Sequence, residues 1–240
     1  MKIIITSGPS YEPIDRVRRL TNFSTGELGT LIAETFAEAG HSVLCFRGTA
    51  STFAAPMYPV EVVPFTTNDD LASSLQRLVR RDEVNIVFHA AALCDFRVTV
   101  RTDAEGKALT GEKISSRDGA VHLTLEPAPK LIASLRRLFP ASILVGWKFA
   151  LDGTSEDVIA AGRHQIDECL TDACILNGTA YGSGFGLLTR GGDQMHLPTK
   201  AGLARYLLEW IRKIPMATTG SPRQESFHAL ASFMPLGPFV

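Results

Sequence analysis

The stretch KIIITSGPSYEPIDRVRRLTNFSTGELGTLIAETFAEAG, residues 2–40, decides the fold. It opens with Ile3, Ile4, Ile5 and Thr6, a β-branched run that reads as a short buried strand. The strand runs straight into Ser7-Gly8-Pro9, which breaks it. A long polar loop follows. Then Leu28, Leu31, Ile32, Phe36 and Ala39 recur at helical spacing, which predicts an amphipathic helix over residues 28–39. Gly40 supplies its C-terminal stop, and His41–Phe46 reads as the second strand of a βαβ unit.

The same alternation continues to the end of the chain. A short strand is predicted at Val60–Val63, then a helix capped by Asn68 and running to about Arg81, with Leu71, Leu75, Leu78 and Val79 on one face. Val84–His89 is the next strand and leads into Ala90-Ala91-Ala92. Thr99 to Asp118 is polar, carries Gly106 and Gly111 and has no sustained period, so it is expected to be a flap or mobile loop. Val121–Leu125 alternates as a strand, Lys130–Leu138 is helical, and Ile143–Phe149 is a buried strand. A helix capped by Thr154 or Ser155 covers Glu156–Leu170, and Ala173–Leu176 is a strand ending at Asn177. Phe185–Thr189 and Gln194–Leu197 flank Gly191-Gly192 as a hairpin, and Thr199 or Lys200 opens a last helix to about Ile214. With right-handed crossovers this is an α/β fold: a doubly wound, mostly parallel, Rossmann-like sheet with a flap and a short hairpin extension over residues 1–214. Residues 215–240 read as a loose tail whose Phe233, Met234, Leu236 and Phe239 are apolar enough to dock.

Composition narrows the function classes. The 240 residues are 45% apolar and 20% charged with a net charge of −1, so no broad basic field recruits nucleic acid or anionic lipid. No segment reaches the roughly 18 apolar residues of a membrane span, and the first apolar run is too short for a signal-peptide core. A cytoplasmic protein is expected. Cys45, Cys94, Cys169 and Cys174 lack CxxC spacing and sit in apolar segments, as reduced packing residues do. The histidines show no HExxH and no paired helical spacing, so no metal held by protein ligands is expected.

Ligands of open α/β sheets bind outside the carboxyl ends of the strands, where the strand order switches. That rule selects Ser7–Gly26, Ala90–Arg97, the stretch after Phe149 and Asn177–Gly186. In the first of these, Ser24-Thr25-Gly26 lies just before a helix, where free amides and the helix dipole favour an anion. Asn22 adds an amide able to donate to an oxygen carrying developing charge, and Arg16, Arg18 and Arg19 suit phosphate. Read blandly, this is an arginine-rich solvated loop in which Ser24 caps the helix. Asp95 can accept from a ribose or base, help hold magnesium, or be a turn residue. Lys113, in the flap, can swing onto a triphosphate or be plain surface. Gly182, Gly184 and Gly186 around Phe185 permit a close approach to ligand or merely enter the hairpin. A dinucleotide fingerprint is missing: roughly twenty residues separate the strand from the glycine before the helix. Tyr11, Tyr58, Tyr181 and Tyr206 all lack the lysine four residues on that a short-chain reductase would use.

Taken in order, several segments resemble the phosphopantothenate–cysteine ligase family from Lys2 to about Ile211. They are Ile5-Thr6-Ser7-Gly8-Pro9-Ser10-Tyr11-Glu12-Pro13-Ile14-Asp15, Val17-Arg18, Thr21-Asn22-Phe23-Ser24-Thr25-Gly26-Glu27-Leu28-Gly29, Ala90-Ala91-Ala92-Leu93-Cys94-Asp95-Phe96, Glu112-Lys113-Ile114, Ile175-Leu176-Asn177 and Gly184-Phe185-Gly186. The resemblance implies ligation of L-cysteine to 4′-phosphopantothenate through an acyl-nucleotide in coenzyme A synthesis, with CTP or ATP and Mg2+, by a homodimer. By matching position, Asn22, Lys113 and Arg18 would be catalytic. Asn22 would stabilise the acyl-nucleotide and the oxyanion, and Lys113 would serve activation. Gly8, Ser24, Gly26, Ala90, Ala91, Asp95, Lys148, Arg163 and Phe185 would hold the nucleotide.

The chain departs from the bacterial bifunctional pattern at Lys113-Ile114-Ser115-Ser116, at Ala128-Pro129-Lys130 and at Trp147-Lys148-Phe149-Ala150-Leu151. Gln165 and Cys169 stand where those forms carry nucleotide-binding lysines, with Arg163 and Lys148 as substitutes. These departures lean toward the single-function and eukaryotic-like branches and leave CTP and ATP both open. No flavin-binding partner domain precedes the ligase region, so no flavin is expected. An NAD(P)-dependent reductase and a non-catalytic nucleotide-binding relative are the rival readings.

Overall fold

The computed structural model describes residues 1–57 and 59–214, and the tail reading at 215–240 lies outside the described residues. In chain order the strands are β1 (Lys2–Ser7), β2 (Tyr11–Pro13), β3 (Arg19–Thr21), β4 (Ser42–Gly48), β5 (Glu61–Phe65) and β6 (Val84–His89). They continue as β7 (Phe96–Thr102), β8 (His122–Pro127), β9 (Ile143–Phe149), β10 (Ala173–Asn177), β11 (Phe185–Thr189) and β12 (Gln194–Leu197). The α-helices are α1 (Glu27–Glu38), α2 (Asn68–Arg77), α3 (Ile132–Leu138), α4 (Ser155–Glu168) and α5 (Lys200–Lys213).

Eight of the strands form one sheet in the order β12-β11-β10-β9-β6-β1-β4-β5. Its pairs are parallel from β5 to β10, and β11 and β12 add the antiparallel hairpin. The chain winds outward from β1 through β4 to β5. It then returns to the other flank of β1 with β6 and winds out again through β9 and β10. The switch in strand order therefore falls between β1 and β6.

Alternation along β1 sorts the layers. Ile3 and Ile5 pack with Ile32 and Phe36 of α1 and Leu203 and Leu207 of α5, while Ile4 faces Leu71 and Leu75 of α2 and Leu135 of α3. Further along the sheet, α4 covers Cys174, Leu176 and Leu188 through Val158 and Ile166. Buried on both faces, these strands need unbroken apolar runs. That is why IIIT, IVF and ILV identify β1, β6 and β9 without ambiguity.

The structure corrects three expectations. Helix α2 is capped by Thr67, whose hydroxyl accepts from the Asp70 amide, and not by Asn68. It ends at Arg77 because Leu78 turns extended, which leaves Val79 83% exposed rather than on the buried face. The Ser7–Gly26 loop contains the β2–β3 hairpin. Finally, the expected flap is irregular only over residues 103–118: Thr99–Thr102 belong to β7, which pairs antiparallel with β8, and residues 103–121 connect the two strands.

Candidate functional site

Two chain crossings meet at the switch point. The Ala90 amide donates to the Thr6 carbonyl and the Ala92 amide to the Gly8 carbonyl, so the end of β6 is stitched to the end of β1. Beneath them Ser10 donates to the Asn68 side-chain oxygen at 2.7 Å, Asn68 donates to the Cys94 carbonyl at 2.8 Å, and the Cys94 amide donates to Ser10 Oγ at 2.8 Å. Asn68 is therefore a buried staple between the two loops, which is why the cap falls to Thr67. Asn22 Nδ2 donates to the Leu93 carbonyl at 2.9 Å and brings the first loop against the second. This arrangement unites Gly8, Asn22, Ala90 and Ala91 at one end of the sheet.

Helix α1 begins there. Its N-cap is Gly26 at φ +79°, with no side-chain cap, so Ser24 does not cap it. The Ser7 hydroxyl holds the Gly26 carbonyl at 3.0 Å. A Cβ on Gly29 would collide with Ser7, and one on Gly8 with Ser51. Glycine at these positions lets two backbones meet where a ligand would approach the helix amides.

Asp15 organises the other wall. Its buried carboxylate accepts from the amides of Val17, Arg18 and Ile114. Hydrogen bonds from the Val17 amide first, then from Ile114 and Arg18, hold the carboxyl below the usual range against the opposing effect of burial. Arg18 returns a hydrogen bond to the Ile114 carbonyl at 2.6 Å, and the Arg16 amide donates to the Glu112 carbonyl at 2.9 Å. The backbone on both sides of Lys113 is therefore anchored, Ile114 is buried, and only the exposed Lys113 side chain is left to swing.

Between the β2–β3 hairpin and the ribbon lies a cleft of about 840 Å³ walled by Arg16, Arg18, Arg19 and Arg101, with Asp15 and Glu112. It adjoins the switch point rather than coinciding with it. Arg19 stacks over the Tyr11 ring at 4.8 Å, and Arg101 donates to the Ile14 carbonyl at 2.6 Å.

The remaining predicted residues are more scattered. Asp95 is exposed and ion-paired with Lys130, the residue that departs from the bacterial pattern. Lys148 is half-buried at the carboxyl end of β9. Arg163 is exposed on α4. Gln165 leans over Gly146 and donates to Cys174 Sγ at 3.3 Å, so it serves packing. Phe185 stands at the carboxyl edge of the sheet but is 8% exposed and belongs to the main core. A Cβ on Gly184 would meet the Leu197 carbonyl at 2.6 Å and one on Gly186 the Tyr181 hydroxyl at 2.6 Å, so these glycines serve the hairpin.

Sequence reasoning assigned no site role to Asp15, and it passed over His89 entirely. His89 Nδ1 lies 2.9 Å from Thr6 Oγ1, which also accepts from the Ala91 amide at 3.2 Å. The hydroxyl has two lone pairs and one proton, so the direction of its bond to Nδ1 follows the imidazole tautomer. Burial pushes the imidazole pKa down to about 4. A neutral His89 thus fixes the Ala90-Ala91 turn. All four cysteines are free and buried, and burial drives the thiols of Cys45 and Cys174 up to about 12.

A family model described as the DNA/pantothenate metabolism flavoprotein C-terminal domain matches residues 1–214. The chain is 31% identical over 183 residues to the coenzyme A biosynthesis bifunctional protein CoaBC of Thermococcus kodakarensis, which covers 76% of this chain and 42% of that protein. The counterpart from Bacillus subtilis is 29% identical over 185 residues, 77% of this chain and 42% of that protein. The chain thus spans less than half the length of these curated relatives. The crystal structure of the DNA/pantothenate metabolism flavoprotein from Streptococcus pneumoniae aligns with a TM-score of 0.77 at 28% identity, covering 88% of this chain and 98% of that one. With the model spanning every strand and helix of the fold, the chain belongs to the DNA/pantothenate metabolism flavoprotein C-terminal domain family, that of the phosphopantothenate–cysteine ligases.

Proposed function

We propose that this protein joins L-cysteine to 4′-phosphopantothenate in coenzyme A synthesis, using CTP or ATP. The observation that carries this reading is the meeting, at the β1–β6 switch, of an uncapped helix N-terminus with the Asn22 amide and the Ala90-Ala91 turn. The substrate carboxylate attacks the α-phosphorus of the triphosphate, pyrophosphate leaves, and an acyl-nucleotide forms. The cysteine amine then attacks the acyl carbon, the nucleoside monophosphate leaves, and the amine proton passes to solvent. Both steps develop charge on oxygen and need placed donors and cations more than a strong base. Asn22 serves the oxyanion, Lys113 the phosphates and Arg18 the wall that carries Lys113.

Among the described residues no three His, Cys, Asp or Glu side chains converge on a metal site. Magnesium would be carried by the triphosphate, and Asp95, which pairs with Lys130 here, would be the carboxylate to meet it. The β2–β3 hairpin occupies the place where a dinucleotide fold puts a tight glycine turn, which disfavours the reductase reading. The ribbon exposes Phe96, Val100 and Leu125, and a two-stranded ribbon is marginal without cover. A second copy packed on it completes the homodimer we assign. No helix among the described residues is long and apolar enough to cross a membrane; the cytoplasmic setting we assign goes with the coenzyme A synthesis reading.

The test is mass detection of phosphopantothenoylcysteine in mixtures of protein, 4′-phosphopantothenate, cysteine, magnesium and either CTP or ATP. Product that needs all of the components supports the assignment, and the better triphosphate names the nucleotide. No product with either one would refute it.

A further inference from the structure

The N-terminus of α1 has more positive charge than the fold balances. Glu27, the acid of its first turn, is ion-paired with Lys200 of α5. The Thr25 hydroxyl reaches the Glu27 amide at 3.3 Å, and the amides of Leu28 and Gly29 find no acceptor among the described residues. Against this positive helix end lies Arg47, at the carboxyl end of β4 and 8% exposed. Its guanidinium donates to the Thr30 hydroxyl at 3.0 Å and to the Phe53 carbonyl. No carboxylate pairs with it among the described residues. A Cβ on Gly26 would lie 3.0 Å from Arg47 Nη1 and 2.9 Å from Ser51 Oγ, so both groups press on the glycine that starts the helix. The Ser51 hydroxyl is itself buried without a partner among the described residues.

A buried cation beside a helix N-terminus is unfavourable twice over, by desolvation and by repulsion from the dipole. Most of the five guanidinium hydrogens remain unspent. An anion above Gly26 would relieve both costs. We propose that Arg47 is a positioning residue that charges the Gly8–Gly26 cradle for a phosphoryl group, acting from beneath the loop. It also shapes that loop, because Phe53, whose carbonyl it holds, donates its amide to the Thr25 carbonyl at 3.0 Å. The inference rests on the ligase reading for the source of the phosphoryl group. That source is the triphosphate of the nucleotide or the phosphate of 4′-phosphopantothenate.

The experiment follows thermal stabilisation of the full chain by tripolyphosphate and, separately, by 4′-phosphopantothenate at matched ionic strength. Wild type, Arg47→Lys and Arg47→Met are compared, with Arg47→Gln replacing the Met variant if that one fails to fold. We expect wild type and Arg47→Lys to bind, and the uncharged variant to bind about ten-fold more weakly or worse. The anion that shows the loss identifies the source. In turnover, KM for that substrate rises while KM for cysteine stays unchanged. Three results would overturn the inference: undiminished binding by the uncharged variant, an Arg47→Lys as weak as it, or a wild type that binds neither anion. Arg47-dependent stabilisation without amide product keeps the inference and removes the ligase reading. Normal ligation by Arg47→Met at unchanged KM does the reverse.

Discussion

Asn22 spends one amide hydrogen on the Leu93 carbonyl, and the other is free to meet a charged oxygen. Asn22→Asp replaces that donor with a second acceptor facing the carbonyl, a local cost of about 1–3 kcal/mol that a domain of this size survives. Pyrophosphate release should continue while amide formation stops; equal amide rates in mutant and wild type would remove the assigned role. Lys113 is exposed and makes no ion pair among the described residues, so Lys113→Ala should change stability by less than about 0.5 kcal/mol. Activation should fall on the order of a hundred-fold, separated from folding by a melt run beside the assay. Asn22 stood out in the sequence as a loop donor, whereas Lys113 read as plain surface until the family resemblance singled it out. Asp15 and Arg47 were not legible, since an acid in a polar loop and a lone arginine ending a strand gain meaning only from burial and from what faces them.

At the scale of elements, the doubly buried strands and the amphipathic helices were readable because packing requires their apolar pattern. The β11–β12 hairpin was legible at Phe185–Thr189 and Gln194–Leu197. The short strands β2 and β3 escaped because three residues carry no period. The ribbon escaped in part because no residue of β7 is fully buried, so its alternation has no core to obey. Asp15 ties the ribbon's connecting segment to the hairpin through the Ile114 amide, beside the Arg18 bond to the Ile114 carbonyl and the Arg16 bonds to Glu112. Asp15→Ala should release residues 112–114, giving faster amide exchange there and faster tryptic cleavage after Lys113. Misplacing Lys113 should slow ligation on the order of a hundred-fold. Unchanged exchange at Ile114 would show that the segment is held by something else.

For the molecule as a whole, the order of winding brings the Gly8 and Ala90 loops together, and buried His89 makes that junction sensitive to acid. Its folded pKa of about 4 lies below the ordinary 6.5, so the unfolded chain binds the extra proton. The stability held above about pH 6.5 should decline as pH falls toward 4 and level off below, by on the order of 3 kcal/mol from this group. His89→Gln should flatten that part of a denaturant-melt pH series, and an unaltered slope would contradict the burial argument. The central claim is that the switch-point site activates a carboxylate with a nucleoside triphosphate. Pyrophosphate release, measured with magnesium and CTP or ATP, with and without 4′-phosphopantothenate and in the absence of cysteine, tests it most directly. Release that requires 4′-phosphopantothenate and precedes any amine attack is expected; folded protein that releases none with either nucleotide would rule carboxylate activation out.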